Sequence, residues 1–306
     1  MKNNLPKWEF ILLLNVHGII TIVALLGSYF VIRAFHKFRN LRTASNNILV
    51  SLSIADGLLA IPLILDIIQL CLKYSNVGQC PSILKEVGGT VTLFLLSVIV
   101  LHLTLMSSER FIAIKFALRY QVIVTKRRAR IVSIAMWLWA LVVIVAFPEV
   151  LQRATGKDFK ELRRQMKADN NTPQVLRVRW HLVFQALSMF LVPLLIILCL
   201  YTYIFIVSYK QRQHVREQGR DIPGMTTVKH HMKGAHTLAI IVALCLLSII
   251  ALLVVTSLRI FWGHPMLPEK IVYDVAMFLN AICNPLIYGW KNEEFRNAFR
   301  KMLKCC

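Results

Sequence analysis

The sequence predicts an all-α membrane protein: a bundle of seven transmembrane helices, with a short amphipathic eighth helix on the inner leaflet. Three observations lead there. The 306 residues are 57% hydrophobic with a mean hydropathy of +0.60, against roughly 45–50% apolar content in soluble domains. The apolar residues gather into stretches at about 10–34, 46–71, 84–115, 130–149, 180–209, 235–258 and 269–290, each near the ~20 residues that cross a hydrocarbon core. The basic residues concentrate in alternate connections between these stretches. Because the connections are short, 1–306 reads as a single membrane domain. No internal repeat or inverted half is visible, which disfavours a secondary transporter.

The first stretch is longer than the apolar region of a signal peptide, and its end, Gly27 to Arg33, lacks a small-x-small cleavage site, so it reads as the first span. The connection from Lys37 to Arg42 and that from Lys115 to Arg130 are basic and contain no acid. Short basic loops stay in the cytoplasm, so the amino terminus is expected outside and the carboxyl terminus inside. The same placement accounts for a net charge of +21 through membrane flanks, without nucleic acid as a partner. The loop between the fourth and fifth stretches is then outside. It holds Asn170-Asn171-Thr172, the one sequon not blocked by proline, which makes Asn170 a candidate glycosylation site. After the seventh stretch, residues 292–303 place Phe295, Phe299, Met302 and Leu303 in an apolar stripe with basic flanks, as in a helix lying along anionic lipid.

The cysteines fall into three groups. Cys199, Cys245 and Cys283 lie inside apolar stretches and read as small buried hydrophobes. Cys71 and Cys80 flank the first outer loop, where they either form a disulfide or remain free thiols. Cys305 and Cys306 follow the amphipathic stretch and are either palmitoylated or free in the cytosol.

Charged and amide groups inside apolar stretches carry the chemistry. Asp56 lies mid-span in the second stretch, where a carboxylate costs about 2.5–3.5 kcal/mol and must face polar partners in the bundle. Asn280 and Asn284 are four residues apart on the seventh stretch, hence on one face. They can share water, an ion or direct hydrogen bonds with Asp56. Arg110, beside Glu109 and Phe111, closes an uncharged run from Val87 to Ser108. Its guanidinium cannot be neutralised, so it pairs with Glu109 at rest and is free for a partner after a rearrangement. Otherwise it snorkels to the headgroups. Pro193 and Pro285 interrupt the fifth and seventh stretches and bend them. Tyr201 and Tyr288 lie toward the inner ends of those stretches, either within reach of Arg110 or in the interfacial aromatic belt.

Glu109-Arg110-Phe111, Asp56, Trp137, Pro193 with Tyr201, and Asn284-Pro285-Leu286-Ile287-Tyr288 together resemble rhodopsin-like (class A) G-protein-coupled receptors over essentially the whole chain. The run Ala117-Leu118-Arg119-Tyr120 with Thr125 and Arg127 to Arg130 looks like melanocortin receptors, and Leu49 to Asp56 looks like adenosine receptors. The resemblance implies a receptor that couples to a heterotrimeric G protein, with Leu118 packing against its α subunit. It also marks departures. Ser28 stands where the first helix usually has Asn, Ile249 and Ala251 replace the switch tryptophan and kinking proline of the sixth helix, and His231 replaces an acid that clasps the arginine in some members. Ile99 occupies a usually small polar position of the sodium site, and the loop from Glu149 to Arg179 lacks the usual cysteine.

For the ligand, Thr92 stands where amine receptors carry Asp and Phe278 where opsins carry Lys, so neither a typical aminergic site nor retinal is expected. Asp66, Thr92, Gln185 and Asp274 form the candidate ligand set in the outer half. A cationic ligand group would meet Asp66 and Asp274; alternatively these acids are hydrated at the headgroups or paired with Arg177, Arg179 or Arg259. The short segment before the first stretch favours a small molecule, lipid or short peptide over a protein hormone. No nucleotide-binding loop, metal cluster or nucleophile–base pair is present in the sequence, so neither an enzyme nor a cofactor is expected. The alternatives are an atypical, weakly coupling receptor, suggested by Ile249 and Ala251, and a seven-helix ion pathway relayed by Asp56.

Overall fold

The computed structural model describes residues 7–75, 82–148, 173–218 and 293–303, with Ala243, Leu247 and Ile250 as isolated helical positions. The protein is a helical bundle, and no strand occurs among the described residues. Among the described residues five segments are long and apolar enough to cross a membrane: Phe10–Lys37, Ala44–Ser75, Val87–Lys115, Lys126–Ala146 and Trp180–Val207. Apart from those three positions, the sixth and seventh stretches lie outside the described residues.

The first helix, α1 (Lys7–Lys37), runs straight into a 3₁₀ turn at Arg39–Leu41. Arg42 folds back so that its guanidinium donates to the Phe35 and His36 carbonyls, which α1 leaves unpaired at its end. Thr43 then caps α2 (Ala44–Leu58), its hydroxyl accepting from the Asn46 amide at 3.2 Å. The second span is two helices, α2 and α3 (Ala60–Ser75), broken at Leu59. Continuous helix was expected from 46 to 71. Pro62 explains the break: it has no N–H to offer the Leu58 carbonyl, and its ring crowds that carbonyl. Ser28 of α1 faces Gly57 of α2, with its side-chain atoms 3.0 and 3.1 Å from where a Gly57 Cβ would stand. The small pair Ser28 and Gly57 lets the two helices close together.

The long helix α4 (Ser82–Lys115) is the hub, packing against α2, α3 and the later helices at Lys126–Leu141 and Val192–Gln218. Leu95, Val98, Ile99, Leu103 and Met106 of α4 form the centre of the core with Leu49, Leu52 and Ala55 of α2. After a 3₁₀ turn at Ala117–Arg119 comes the short α5 (Tyr120–Ile123). Then α6 (Lys126–Leu141) opens on Thr125, whose hydroxyl accepts from the Arg128 amide. The Arg128 guanidinium donates to the Val122 and Ile123 carbonyls, each at 3.0 Å. That caps α5 and clamps the loop to α6.

Two π turns interrupt the fourth and fifth spans by one mechanism. One covers Val142–Ala146 and precedes Pro148; the other, Leu187–Leu191, lies between α7 (Pro173–Ala186) and α8 (Val192–Gln218) and precedes Pro193. In each, the residue before the proline bonds five residues back, Phe147 to Val142 and Val192 to Leu187. Proline withdraws one donor from the ladder, and a wider turn re-seats the neighbouring amide. The outward faces are apolar, with Ile19, Leu26, Leu138 and Phe205 more than half exposed, as lipid-facing side chains must be.

The amphipathic helix α9 (Glu293–Leu303) packs on α1, with Phe299 6.0 Å from Phe30 between ring centroids. Its buried face is Phe295, Ala298 and Met302, with Phe299 beside it, while Leu303 is exposed. Leu303 lies about 40° round from Phe299 at the exposed edge of the expected stripe, and Ala298 joins its buried edge. At 3.6 residues per turn Met302 returns to within about 20° of Phe295, whereas Leu303 is roughly 80° away. One expectation is corrected at Cys199: it faces outward on α8 as an exposed free thiol and is not buried.

Candidate functional site

The site at the end of α4 grows from one acid–arginine pair. Arg110 Nε lies 3.3 Å from Glu109 Oε2, with the acid 3% exposed and the arginine 19%. The carboxylate is thus the deeper partner and needs every available donor. Tyr120 of α5 supplies a second one, its hydroxyl donating to Glu109 Oε1. Burial first, then the charge of Glu109 and its hydrogen bond, push the Tyr120 phenol well above its usual range, against a smaller opposing effect of Arg110. The phenol therefore stays a donor at physiological pH. Arg110 turns its Nη2 to Ser45 Oγ on α2, at 3.1 Å.

Around this pair the neighbouring helices lock together through aromatic rings. Phe111 meets Tyr203 of α8 edge-on at 4.9 Å. The Lys115 ammonium sits over three rings, 5.3 Å from Phe111, 5.4 Å from Phe116 and 5.7 Å from Tyr203, each an attractive cation–π geometry. The buried Tyr201 hydroxyl lies beside Ser107, within electrostatic reach of Arg110 and Glu109. Leu118 points away from the protein, fully exposed, at the rim of a hollow of about 300 Å³ shared with Ile114, Lys115 and Arg119.

The structure therefore brings together Glu109, Arg110, Phe111 and Tyr201, with Leu118 on the adjoining loop. Sequence reasoning missed Ser45, Tyr120, Lys115 and Tyr203 as members. Tyr120 could have been noticed as a hydroxyl one loop away from a buried acid; nothing in the sequence marks Ser45.

In the rest of the molecule, Asp56 is buried in α2 at 1% exposure. The residues expected beside it, Asn280 and Asn284, lie outside the described residues, as do Pro285 and Tyr288. Of the ligand set, Thr92 is buried and its hydroxyl donates to the Gly88 carbonyl of its own helix at 2.9 Å. Gln185 is buried on α7 and Asp66 half-buried on α3, and Asp274 lies outside the described residues. Cys71 carries a free thiol at the end of α3; Cys80, Cys305, Cys306 and Asn170 lie outside the described residues. Among the described residues no three His, Cys, Asp or Glu converge as a metal site would require.

The arrangement stores a charged, five-donor group at one end of a membrane bundle, held by an acid on its own helix and a hydroxyl on the next. Comparison with known proteins gives this architecture a family. Residues 27–288 match the model of the 7 transmembrane receptor (rhodopsin family). The chain is 26% identical to adenosine receptor A2a of Canis lupus familiaris, over 99% of this chain and 74% of that protein. It is 25% identical to the alpha-1A adrenergic receptor of Mus musculus, over 96% of this chain and 68% of the relative. Octopamine receptor beta-2R of Chilo suppressalis is 27% identical over 94% of this chain and 78% of its own length. With the family model spanning most of the chain and the Glu109–Arg110 pair at the end of its central helix, this protein belongs to the rhodopsin family of seven-transmembrane receptors and is a G-protein-coupled receptor.

Proposed function

We propose that this receptor converts binding of an extracellular ligand into nucleotide exchange on a heterotrimeric G protein through Arg110. The amino terminus lies outside, the Arg110 end faces the cytoplasm, and 1–306 acts as one receptor domain. The observation that carries the reading is the Glu109–Arg110–Ser45 arrangement, because a guanidinium held by one salt bridge and one hydroxyl is released at modest cost. Leu118, fully exposed beside it, is the apolar anchor for the α subunit. On activation Tyr201 and Tyr288 turn toward Arg110, while Asp56, Asn280 and Asn284 form the interior polar cluster that relays the change.

The ligand is a small molecule, in keeping with relatives named for adenosine, adrenergic and octopamine recognition; a lipid or short peptide is the second choice. It presents a cationic group to Asp66 and Asp274, with Thr92 and Gln185 lining the same half. Cys305 and Cys306 are palmitoylated, Asn170 is glycosylated, and α9 rests on lipid headgroups. A second reading, weak coupling, follows from Ile249 and Ala251 in the sixth stretch, which leave that helix without its proline hinge.

Replacing the guanidinium tests the central claim. Arg110→Ala should abolish nucleotide exchange on a co-expressed G protein while the receptor still reaches the surface. Exchange at the unmodified level would remove Arg110 from the mechanism.

A further inference from the structure

Deep in the bundle, α2, α4 and α6 are joined by a hydrogen-bond chain whose direction follows from the chemistry of its members. His102 of α4 is fully buried, with Nδ1 2.8 Å from the Val98 carbonyl oxygen. A carbonyl can only accept, so Nδ1 carries the proton. The other ring nitrogen, Nε2, lies 2.8 Å from Ser51 Oγ on α2. With the proton on Nδ1 this nitrogen accepts, so the Ser51 hydroxyl donates to it. Trp137 Nε1 of α6 donates to the same Ser51 oxygen at 3.0 Å, and an indole has no other role to offer. The chain therefore runs from Trp137 to Ser51 to His102 to Val98, with the Trp137 ring edge-on to the imidazole.

The same two helices, α2 and α4, meet again nearer the end of the bundle, where Arg110 donates to Ser45. Ser45 lies six residues from Ser51, about 9 Å along its helix, and Arg110 eight residues from His102, about 12 Å. Between the two points the core packing is apolar, through Ile48, Leu49, Leu103 and Met106. Apolar contacts are non-directional and tolerate small slides, whereas a hydrogen bond is lost within an ångström of displacement. The polar points therefore decide the register.

We propose that His102 is a positioning residue for Arg110: through Ser51 it sets the register of α2 and so places Ser45 as the resting clasp on the guanidinium. This rests on the reading of Arg110 given above. The clasp comes from the second span in a chain that carries His231, ahead of the sixth stretch, where the family resemblance leads one to expect an acid in some members.

The test uses the full-length receptor in membranes, with basal nucleotide exchange on a co-expressed G protein normalised to surface expression. Ser45→Ala, Ser51→Ala and His102→Leu should each raise basal exchange roughly fivefold, the low end of an allosteric coupling. The pair Ser45→Ala with His102→Leu should exceed Ser45→Ala alone by nothing, because both act on one contact. Independent, multiplying increases, or no increase in the single variants, would overturn the proposal. If His102→Leu fails to reach the surface, Ser51→Ala, which removes only a hydroxyl, carries the same comparison. ¹⁵N spectra of the histidine-labelled receptor add a readout free of coupling. With nine histidines in the chain, the His102 signal is assigned by its loss in His102→Leu. It should report the Nδ1–H tautomer; the Nε2–H form contradicts the chain. Exchange that survives Arg110→Ala defeats the proposed function, while normal dependence on Arg110 with independent effects at Ser45 and His102 defeats this inference alone.

Discussion

The two ends of the bundle handle their polar groups differently. At the Arg110 end, bonds cross between elements: Glu109 to α5 through Tyr120, Arg110 to α2 through Ser45, and Lys115 to α8 through Tyr203. At the other end, among the described residues, Thr92 donates to a carbonyl of its own helix. Groups satisfied within one helix leave neighbouring helices free to shift against each other. A ligand-responsive half needs that freedom, whereas a half that presents a surface to a partner needs a defined resting geometry. Pro62, Pro148 and Pro193 add to the contrast, since the break at Leu59 and both π turns lie on the Thr92 side of the hub's midpoint.

The largest effect that would break this comparison is at the exposed anchor. Leu118→Asp should lower G-protein nucleotide exchange roughly 30-fold, the ~2 kcal/mol of an interface hot spot, with ligand binding unchanged. An exchange assay on purified receptor and G protein measures it, and an unaltered rate would show that this end does not dock there. Next is the opposite half. Asp66→Asn should weaken a cationic agonist more than tenfold, about 1.4 kcal/mol, in competition binding; an unchanged affinity removes Asp66 from the ligand site. The smallest effect sharpens the cross-linked end. Tyr120→Phe should loosen the loop that carries Leu118 and lower exchange about fivefold, part of the ~1.5–3 kcal/mol of a hydrogen bond to a charge. Because burial and Glu109 hold the phenol protonated, the unmodified receptor should lose none of this contribution between about pH 6 and 9. A loss over that interval, which Tyr120→Phe abolishes, would contradict the assigned donor.

Much of this was readable before any coordinates. Apolar stretch length marked the spans, and the Glu109–Arg110 adjacency suggested a pair, although neighbours on a helix point about 100° apart and only the structure brings Arg110 Nε to 3.3 Å from Glu109. The amphipathic α9 was legible from its apolar spacing, although only its packing on α1 showed that Ala298 joins the buried edge. Cys199 was misread because an apolar stretch in a membrane has two apolar environments, core and lipid, and composition does not separate them. Ser45 and His102 carried no local signal at all, and Lys115 read only as a basic membrane flank.

By itself the sequence determined how many segments can enter a membrane, where their charged ends lie, and which acid stands beside the arginine, since these depend on composition and spacing along one chain. Only the tertiary structure decided that a serine of α2 reaches Arg110, that a tyrosine of the next loop completes the Glu109 shell, and that Trp137, Ser51 and His102 form one chain. Those pairings depend on the rotation and crossing of separate helices. Ridge-into-groove packing of many apolar side chains sets them, and no window of sequence contains that information.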